Sequence, residues 1–265
     1  MTTSTHRTVT IHPHAGGWAA LRLDNPPLNL LDQHVYRELV DALERLAADP
    51  RTKVVVLESA DPEFFSAHFD MSLTTEAMAE ASALYPRLIK ALQSPELVSI
   101  AKVRGRARGG GDELILLCDM RFASIDNSFF AQPEVGSGLI PGGGALQLLP
   151  ALIGRGRALE LMLSGRNIDG ATAERYGVVN RALPDDELDD YVDSLAAHIA
   201  SRSGAALAAV KKAVDRRNLP ADADFRTDTE DFTRLYATAE VRAATAAALA
   251  AGLQTRGPLE YNLGD

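Results

Sequence analysis

Three consecutive glycines, Gly109-Gly110-Gly111, stand just ahead of a glutamate, Glu113, and a second glutamate, Glu134, follows Gln132-Pro133 further along the chain. The triplet sits between a strand-like run and an apolar helix-like run. Backbone N–H groups at a helix start lack internal partners and carry partial positive charge. Glycine lets another group approach that backbone closely. An anion, or an oxyanion developing during a reaction, suits such a place. A tight strand-to-helix turn would use the same glycines. No Gly-Lys-Ser/Thr follows, so this is not a Walker A loop, and the G-x-G-x-x-G spacing of a dinucleotide site is missing. Glu113 adjoins the apolar residues Leu114–Leu117. A carboxylate beside an apolar face costs free energy unless it has a partner or a task. Two partly buried carboxylates can have their pKa values pushed apart, giving one acid and one base near neutral pH. Taken alone, the pair reads more simply as a helix cap and a solvated side chain.

The elements that must carry these residues follow from apolar spacing. Ala19–Leu23, Val54–Leu57, Leu97–Val103, Arg121–Ala123, Phe129–Ala131 and Val178–Ala182 read as strands, and Val54–Leu57 as one covered on both faces. Phe64–Asp70 reads as a strand end passing into a loop. Asp32 caps a helix to about Ala48, where Asp49-Pro50 ends it. Further helices are expected over Thr75–Leu92, with Pro86 as a weak point, over Asp112–Cys118, from Pro141–Gly144 to near Gly154, over Arg155–Leu163, and from an Asp169 cap to Tyr176. Beyond Pro184 strand signals stop and alanine-rich helical patterns continue to about Leu253. The reading is therefore an α/β core over residues 1–195 and a helical C-terminal region over 196–265.

The whole chain has 265 residues, 46% of them apolar, enough for a sizeable core. Its 27 basic and 36 acidic residues give a formal charge of −9, which disfavours nucleic acid as a partner. No apolar run is long enough to span a bilayer, and Met1–Pro13 does not look like a secretory signal. The single cysteine, Cys118, lies in an apolar run and suits a buried, inert thiol in a reducing cytoplasm. His12-x-His14 is too little for a metal site, and no metal is expected. Gly136-Ser137-Gly138 lacks the spacing of a serine-hydrolase elbow.

In combination the motifs are more specific. Gly105–Asp119 (GRARGGGDELILLCD), Gln132-Pro133-Glu134 and Ile140–Gly144 (IPGGG) resemble the core signature of the crotonase, or enoyl-CoA hydratase/isomerase, superfamily. Phe64–Asp70 (FFSAHFD) resembles that family's upstream oxyanion loop, and Asn25–Leu31 (NPPLNLL) its N-terminal substrate-side turn. The resemblance covers nearly the whole chain in order. It implies a crotonase-like right-handed spiral of ββα units followed by an α-helical C-terminal trimerisation region. It implies an oxyanion hole from the N–H groups of Phe69 and Gly110, with Glu113 and Glu134 as the catalytic acid/base pair. Ala67, His68, Gly109 and Gly142 would lie along the substrate. Catalysis would need no cofactor; CoA would enter as part of an acyl-CoA-type substrate. The assembly would be a homotrimer or dimer of trimers.

The chain also departs from the pattern. His68 occupies a slot where the family usually has glycine, and would be strained if that slot needs a positive φ. Asp70-Met71-Ser72 lacks the lysine that often follows this loop and meets CoA phosphates, and Leu249–Arg256 lacks the Phe and Lys often offered to a neighbour's CoA. Lys102, Arg104, Arg106 and Arg108 alternate along a strand and its exit, which would place them on one face. They would serve as subunit or surface ion pairs, or hold an anionic group. These departures keep two other functions in view: a C–C bond hydrolase or cyclase acting on a non-CoA β-dicarbonyl compound, and a non-catalytic assembly protein of the same fold.

Overall fold

A computed structural model describes residues 7–265. The chain opens with an antiparallel hairpin of β1 (Val9–His14) and β2 (Trp18–Leu23). Nothing in the sequence marked β1. It carries Pro13, and it is tolerated because β1 is an edge strand, where a missing N–H leaves no neighbour unsatisfied. Helix α1 (Gln33–Ala48) follows, capped as expected by the Asp32 carboxylate, which accepts from the His34 and Val35 N–H groups.

A strand–strand–helix unit then repeats. β3 (Val54–Ser59), β4 (Phe64–Ser66) and α2 (Thr75–Leu92) make one turn, and β5 (Val98–Val103), β6 (Arg106–Arg108) and α3 (Gly110–Leu116) the next. β7 (Met120–Ser124), β8 (Phe129–Ala131) and α4 (Ala145–Ile153) make the third. The first strand of each unit joins a six-stranded sheet in the order β1-β2-β3-β5-β7-β10, and the second joins a four-stranded sheet ordered β4-β6-β8-β9. Within each series the pairing is parallel. This is the expected crotonase-like spiral of ββα units. Pro86 does not break α2, because it points to solvent and the helix runs through it.

Helices α5 (Arg155–Ser164) and α6 (Gly170–Tyr176) flank the short β9 (Ile168–Asp169). The last strand, β10 (Arg181–Leu183), starts later than the expected Val178. Val178 and Val179 are instead buried in the core, held by N–H bonds to Ala173 O at the end of α6. Then come α7 (Asp185–Ala200), α8 (Gly204–Asn218), α9 (Asp222–Tyr236), α10 (Ala239–Ala250) and the one-turn α11 (Pro258–Tyr261).

The larger sheet is buried on both faces. Leu21, Val55, Leu57, Ala101 and Ala123 face α1 and α2. Ala20, Val54, Val56, Val98, Ile100 and Phe122 face Leu188, Val192, Ala196 and Ala200 of α7. This explains the unbroken apolar character of Val54–Leu57. Cys118 is buried, and burial pushes its thiol up to about 12. No helix among the described residues is long and apolar enough to cross a membrane.

The alternating basic residues do not share a face. Gly105, at φ +74°, turns the chain between the two sheets, so the period of two is lost. Lys102 pairs with Glu58 and Asp189 at 2.7 Å each, and Arg104 with Asp185 and Asp189, fastening α7 to the sheet. Arg106 lies over the rings of Phe64, Phe129 and Tyr261. Arg108 is fully buried against Glu260 at 2.8 Å. Three of the four basic residues thus form ion pairs within the chain, with Lys102 and Arg108 buried rather than at the surface, and Arg106 instead lies among aromatic rings.

Candidate active site

The glycine triplet carries the chain from β6 into α3. Gly109 adopts φ 49°, ψ −126°, which a side chain would resist, and its N–H bonds to Ala131 O of β8. Gly111 lies against β4: a Cβ there would meet Ser66 O at 2.4 Å. Gly110 is the first helical residue, so its N–H has no intrahelical acceptor.

The Phe64–Asp70 segment runs alongside. Leu31 pairs with Phe69 in a parallel bridge, through Leu31 N–H to His68 O and Asp70 N–H to Leu31 O. That pattern turns the Phe69 N–H away from the ladder. It also lies close to Gly110: a Cβ on Gly110 would sit 3.4 Å from Phe69 N. Neither N–H donates to a protein acceptor among the described residues.

These groups border a cavity of about 120 Å³. Its walls are mostly apolar and aromatic, including Tyr36, Phe69, Met71, Met78, Tyr85 and Phe232. Tyr36 packs against Phe69 and Tyr85 at 6.1 and 5.5 Å between ring centres, and Phe232 of α9 meets Phe69 edge-on at 6.3 Å. No Lys or Arg side chain of the described residues lines it.

Glu113 and Glu134 both line the cavity. Glu113 comes from the first turn of α3, and its Oε1 accepts from Gly143 N–H at 2.6 Å and Ala145 N–H at 3.2 Å. The start of α4 is thus spent on Glu113. Burial pushes Glu113 above the ordinary carboxylate range, and those two N–H groups oppose the rise. Glu134 opens a short 3₁₀ turn after β8. The residue is partly exposed as a whole, yet its Oε2 is shut from solvent with no partner. Burial, then the Glu113 charge, pushes Glu134 well above its usual range. Less charge stabilisation falls on Glu134, so the pair separates into a more acidic Glu113 and a Glu134 that keeps its proton longer.

His68 also lines the cavity, and its φ is not positive, so the expected strain is absent. Gly142 lies on the wall, closely covered by Phe232 of α9, whose Cβ a Gly142 side chain would approach to 2.6 Å. α4 itself begins later, at Ala145, after a left-handed Gly144 at φ 106°. Ala67 packs with Leu28 and Phe64 and is not on the cavity wall, and neither is Gly109, whose missing Cβ makes room for the Glu134 carboxylate.

The sequence did not single out the aromatic wall, Tyr36, Tyr85 and Phe232, or Asp112, which lies beside the site rather than on its wall. Tyr36 and Tyr85 fall on the buried faces of α1 and α2, where periodicity marks them only as core; a phenol on an apolar stripe was the available signal. The Tyr85 hydroxyl donates to Gly143 O at 2.5 Å. Asp112, beside Glu113, is buried and accepts from Gln132 Nε2 at 2.7 Å, while its Oδ1 has no partner. Among the described residues no three His, Cys, Asp or Glu side chains are grouped to hold a metal ion.

Comparison with known proteins shows the family. The family model for enoyl-CoA hydratase/isomerase matches residues 14–251. A Mycobacterium leprae protein named as a probable enoyl-CoA hydratase is 36% identical over 195 residues, 71% of this chain and 74% of its own. The short-chain-enoyl-CoA hydratase of Clostridium acetobutylicum is 31% identical over 238 residues, 88% of this chain and 91% of its own. The crystal structure of a candidate enoyl-CoA hydratase from Streptomyces avermitilis matches with a TM-score of 0.93 at 42% identity, covering 100% of this chain and 98% of that one. The chain belongs to the enoyl-CoA hydratase/isomerase family, within the crotonase superfamily.

Proposed function

We propose that this chain hydrates a 2-enoyl thioester. The carbonyl oxygen sits between the Phe69 and Gly110 N–H groups. Glu113 takes a proton from water as the water oxygen bonds to the β carbon. The C=C electron pair moves toward the carbonyl and the oxyanion forms between the two N–H donors. Glu134 then delivers a proton to the α carbon, so the sum is addition of one water. The observation that carries this reading is the adjacency of two unclaimed N–H groups at the rim of a cavity holding two carboxyls. Aimed donors of this kind are worth about 2.7–4 kcal/mol each when lost. CoA is part of the substrate and no other cofactor is needed. The acyl group is short and uncharged: 120 Å³ is slightly less than a cavity that holds benzene (about 150 Å³), and no cation of the described residues lines it. The enzyme acts in the cytoplasm as a homotrimer or dimer of trimers.

The same lack of lining cations supports a second reading, a hydrolase or cyclase acting on a β-dicarbonyl compound without CoA. A turnover screen over 2-enoyl-CoAs of increasing chain length, with acyl-CoA titration by calorimetry, separates the two. Hydration of short enoyl-CoAs is expected. Binding of no acyl-CoA at all would reject the hydratase reading, and inertness toward β-dicarbonyl compounds as well would leave a non-catalytic assembly protein.

A further inference from the structure

The loop that presents the Phe69 N–H is gripped from behind by the chain's own C-terminal segment. His68 Nδ1 donates to Phe69 O at 2.7 Å, and its Nε2 lies 3.2 Å from Glu260 Oε2. Glu260 is fully buried. Its Oε1 accepts from Arg108 Nη2 at 2.8 Å and its Oε2 from Gln254 N–H at 2.9 Å. Burial would raise the Glu260 carboxyl, but the bond and charge of His68, the Gln254 N–H and the Arg108 charge outweigh it and hold it below the ordinary range. A carbonyl can only accept, so the proton of the Nδ1 contact lies on the His68 ring.

Gln254 adds two more grips. Its Nε2 donates to Asp70 Oδ1 at 2.7 Å and its Oε1 accepts from Met71 N–H at 3.0 Å. Gln254 itself takes a left-handed φ of 64°, uncommon for a residue other than glycine. Its backbone is bent so that its N–H, O and N atoms all reach this cluster.

We propose that His68, Glu260 and Gln254 are positioning residues that aim the Phe69 N–H at the substrate oxygen, making residues 254–260 a working part of the oxyanion site. The proposal rests on the hydratase reading above. The His68–Phe69 peptide is fixed on one side by Leu31 N–H on His68 O at 3.0 Å, and the next carbonyl by the His68 ring. Release of the ring leaves the Phe69–Asp70 peptide held only by the bond from Asp70 N–H to Leu31 O at 2.9 Å, so the loop that aims the Phe69 N–H is less constrained. Arg108 anchors the whole arrangement, because its Nη1 and Nη2 also donate to Leu263 O and Glu260 O at 2.8 and 2.7 Å. Histidine in place of the family's usual glycine is thus explained by what stands behind it.

The test compares His68→Gln and Gln254→Ala with the parent protein, both retaining the buried Arg108–Glu260 pair. Turnover of a short 2-enoyl-CoA gives kcat and KM. Calorimetry gives affinities for acetoacetyl-CoA, whose acidic α carbon lets it present an enolate oxygen, and for butyryl-CoA, whose carbonyl stays neutral. A misaimed donor lowers kcat by about 10-fold or more, with KM within about 2-fold. It weakens acetoacetyl-CoA in parallel and weakens butyryl-CoA, whose neutral carbonyl accepts more weakly, by less. Parent-like kcat in both variants overturns the proposal, as does equal weakening of the two ligands, which marks a purely structural role. If His68→Gln does not fold, Gln254→Ala decides by the same measures. A parent protein that neither turns over enoyl-CoA nor binds either ligand rejects the hydratase reading itself, and the positioning role with it.

Discussion

Because Glu113 accepts two backbone N–H groups while Glu134 Oε2 accepts none, substituting the two carboxyls tests a division of labour rather than a shared charge. In a hydratase, Glu113→Gln and Glu134→Gln should each lower kcat by at least about 10²-fold, read from initial rates on a short enoyl-CoA. In an isomerase, only Glu134→Gln should be severe. Near-normal rates for both would mean that another group moves the proton. Asp112 supports a different prediction, on stability. Burial pushes its carboxyl up to about 7. In the unfolded chain it ionises near the ordinary value of about 3.9, so between those limits the folded state holds a proton that the unfolded state has lost. The contribution of Asp112 to stability therefore falls as pH rises from about 4 to about 7, because its buried carboxyl, with Oδ1 unpartnered among the described residues, is costly to ionise. Asp112→Asn cannot ionise. Urea unfolding of this variant should show a flatter decline across that window and greater stability at pH 7–8; an unchanged slope would mean that Asp112 is ionised in the fold at little cost.

At the scale of elements, α3 is placed by the absence of side chains. Its second glycine, Gly111, lies so close to β4 that an alanine Cβ would meet the Ser66 carbonyl at 2.4 Å, and backbone cannot swing aside as a side chain would. Gly111→Ala should destabilise the protein by about 1–3 kcal/mol and disturb the neighbouring Gly110 N–H, lowering kcat as well. Gly136→Ala is the matched control, since nothing lies within 4 Å of its Cβ position. Equal denaturation midpoints for the two variants would refute the contact. The triplet was legible locally as a helix start, whereas the two glutamates stood out only once the motifs were read together as a family resemblance. What escaped notice was non-local. Tyr36 and Tyr85 look like core until α1 and α2 are brought to one cavity, and Glu260 looks like a surface residue until the C-terminal turn carries it to Arg108, 152 residues away in sequence. The basic stripe failed for the opposite reason, since a local period was extended through Gly105, where the chain changes sheets.

At the scale of the molecule, α9 and α10 contribute to the cavity, and the C-terminal helices α8–α10 bury few of their own residues. Phe225 and Phe232 of α9 close over Gly144 and Gly142, and Lys211 of α8 donates to Leu92 O, Leu97 O and the Asp119 carboxylate. The remaining surface of α8 is different. Val210 and Val214, one helical turn apart, are 65% and 54% exposed within the single chain. Two β-branched apolar side chains at that spacing form a stripe that water does not favour, and subunit contact is the ordinary way to cover it. Closed cyclic assembly would do so for every copy at once. The expected particle holds three or six chains of 28.4 kDa, and light scattering at micromolar concentration measures this directly. Val210→Glu together with Val214→Glu should then shift the mass toward that of a single chain, because a charge buried between subunits loses its hydration without a partner. A parent protein that scatters as a monomer would show that the stripe faces water and that the helical tail serves the active site alone.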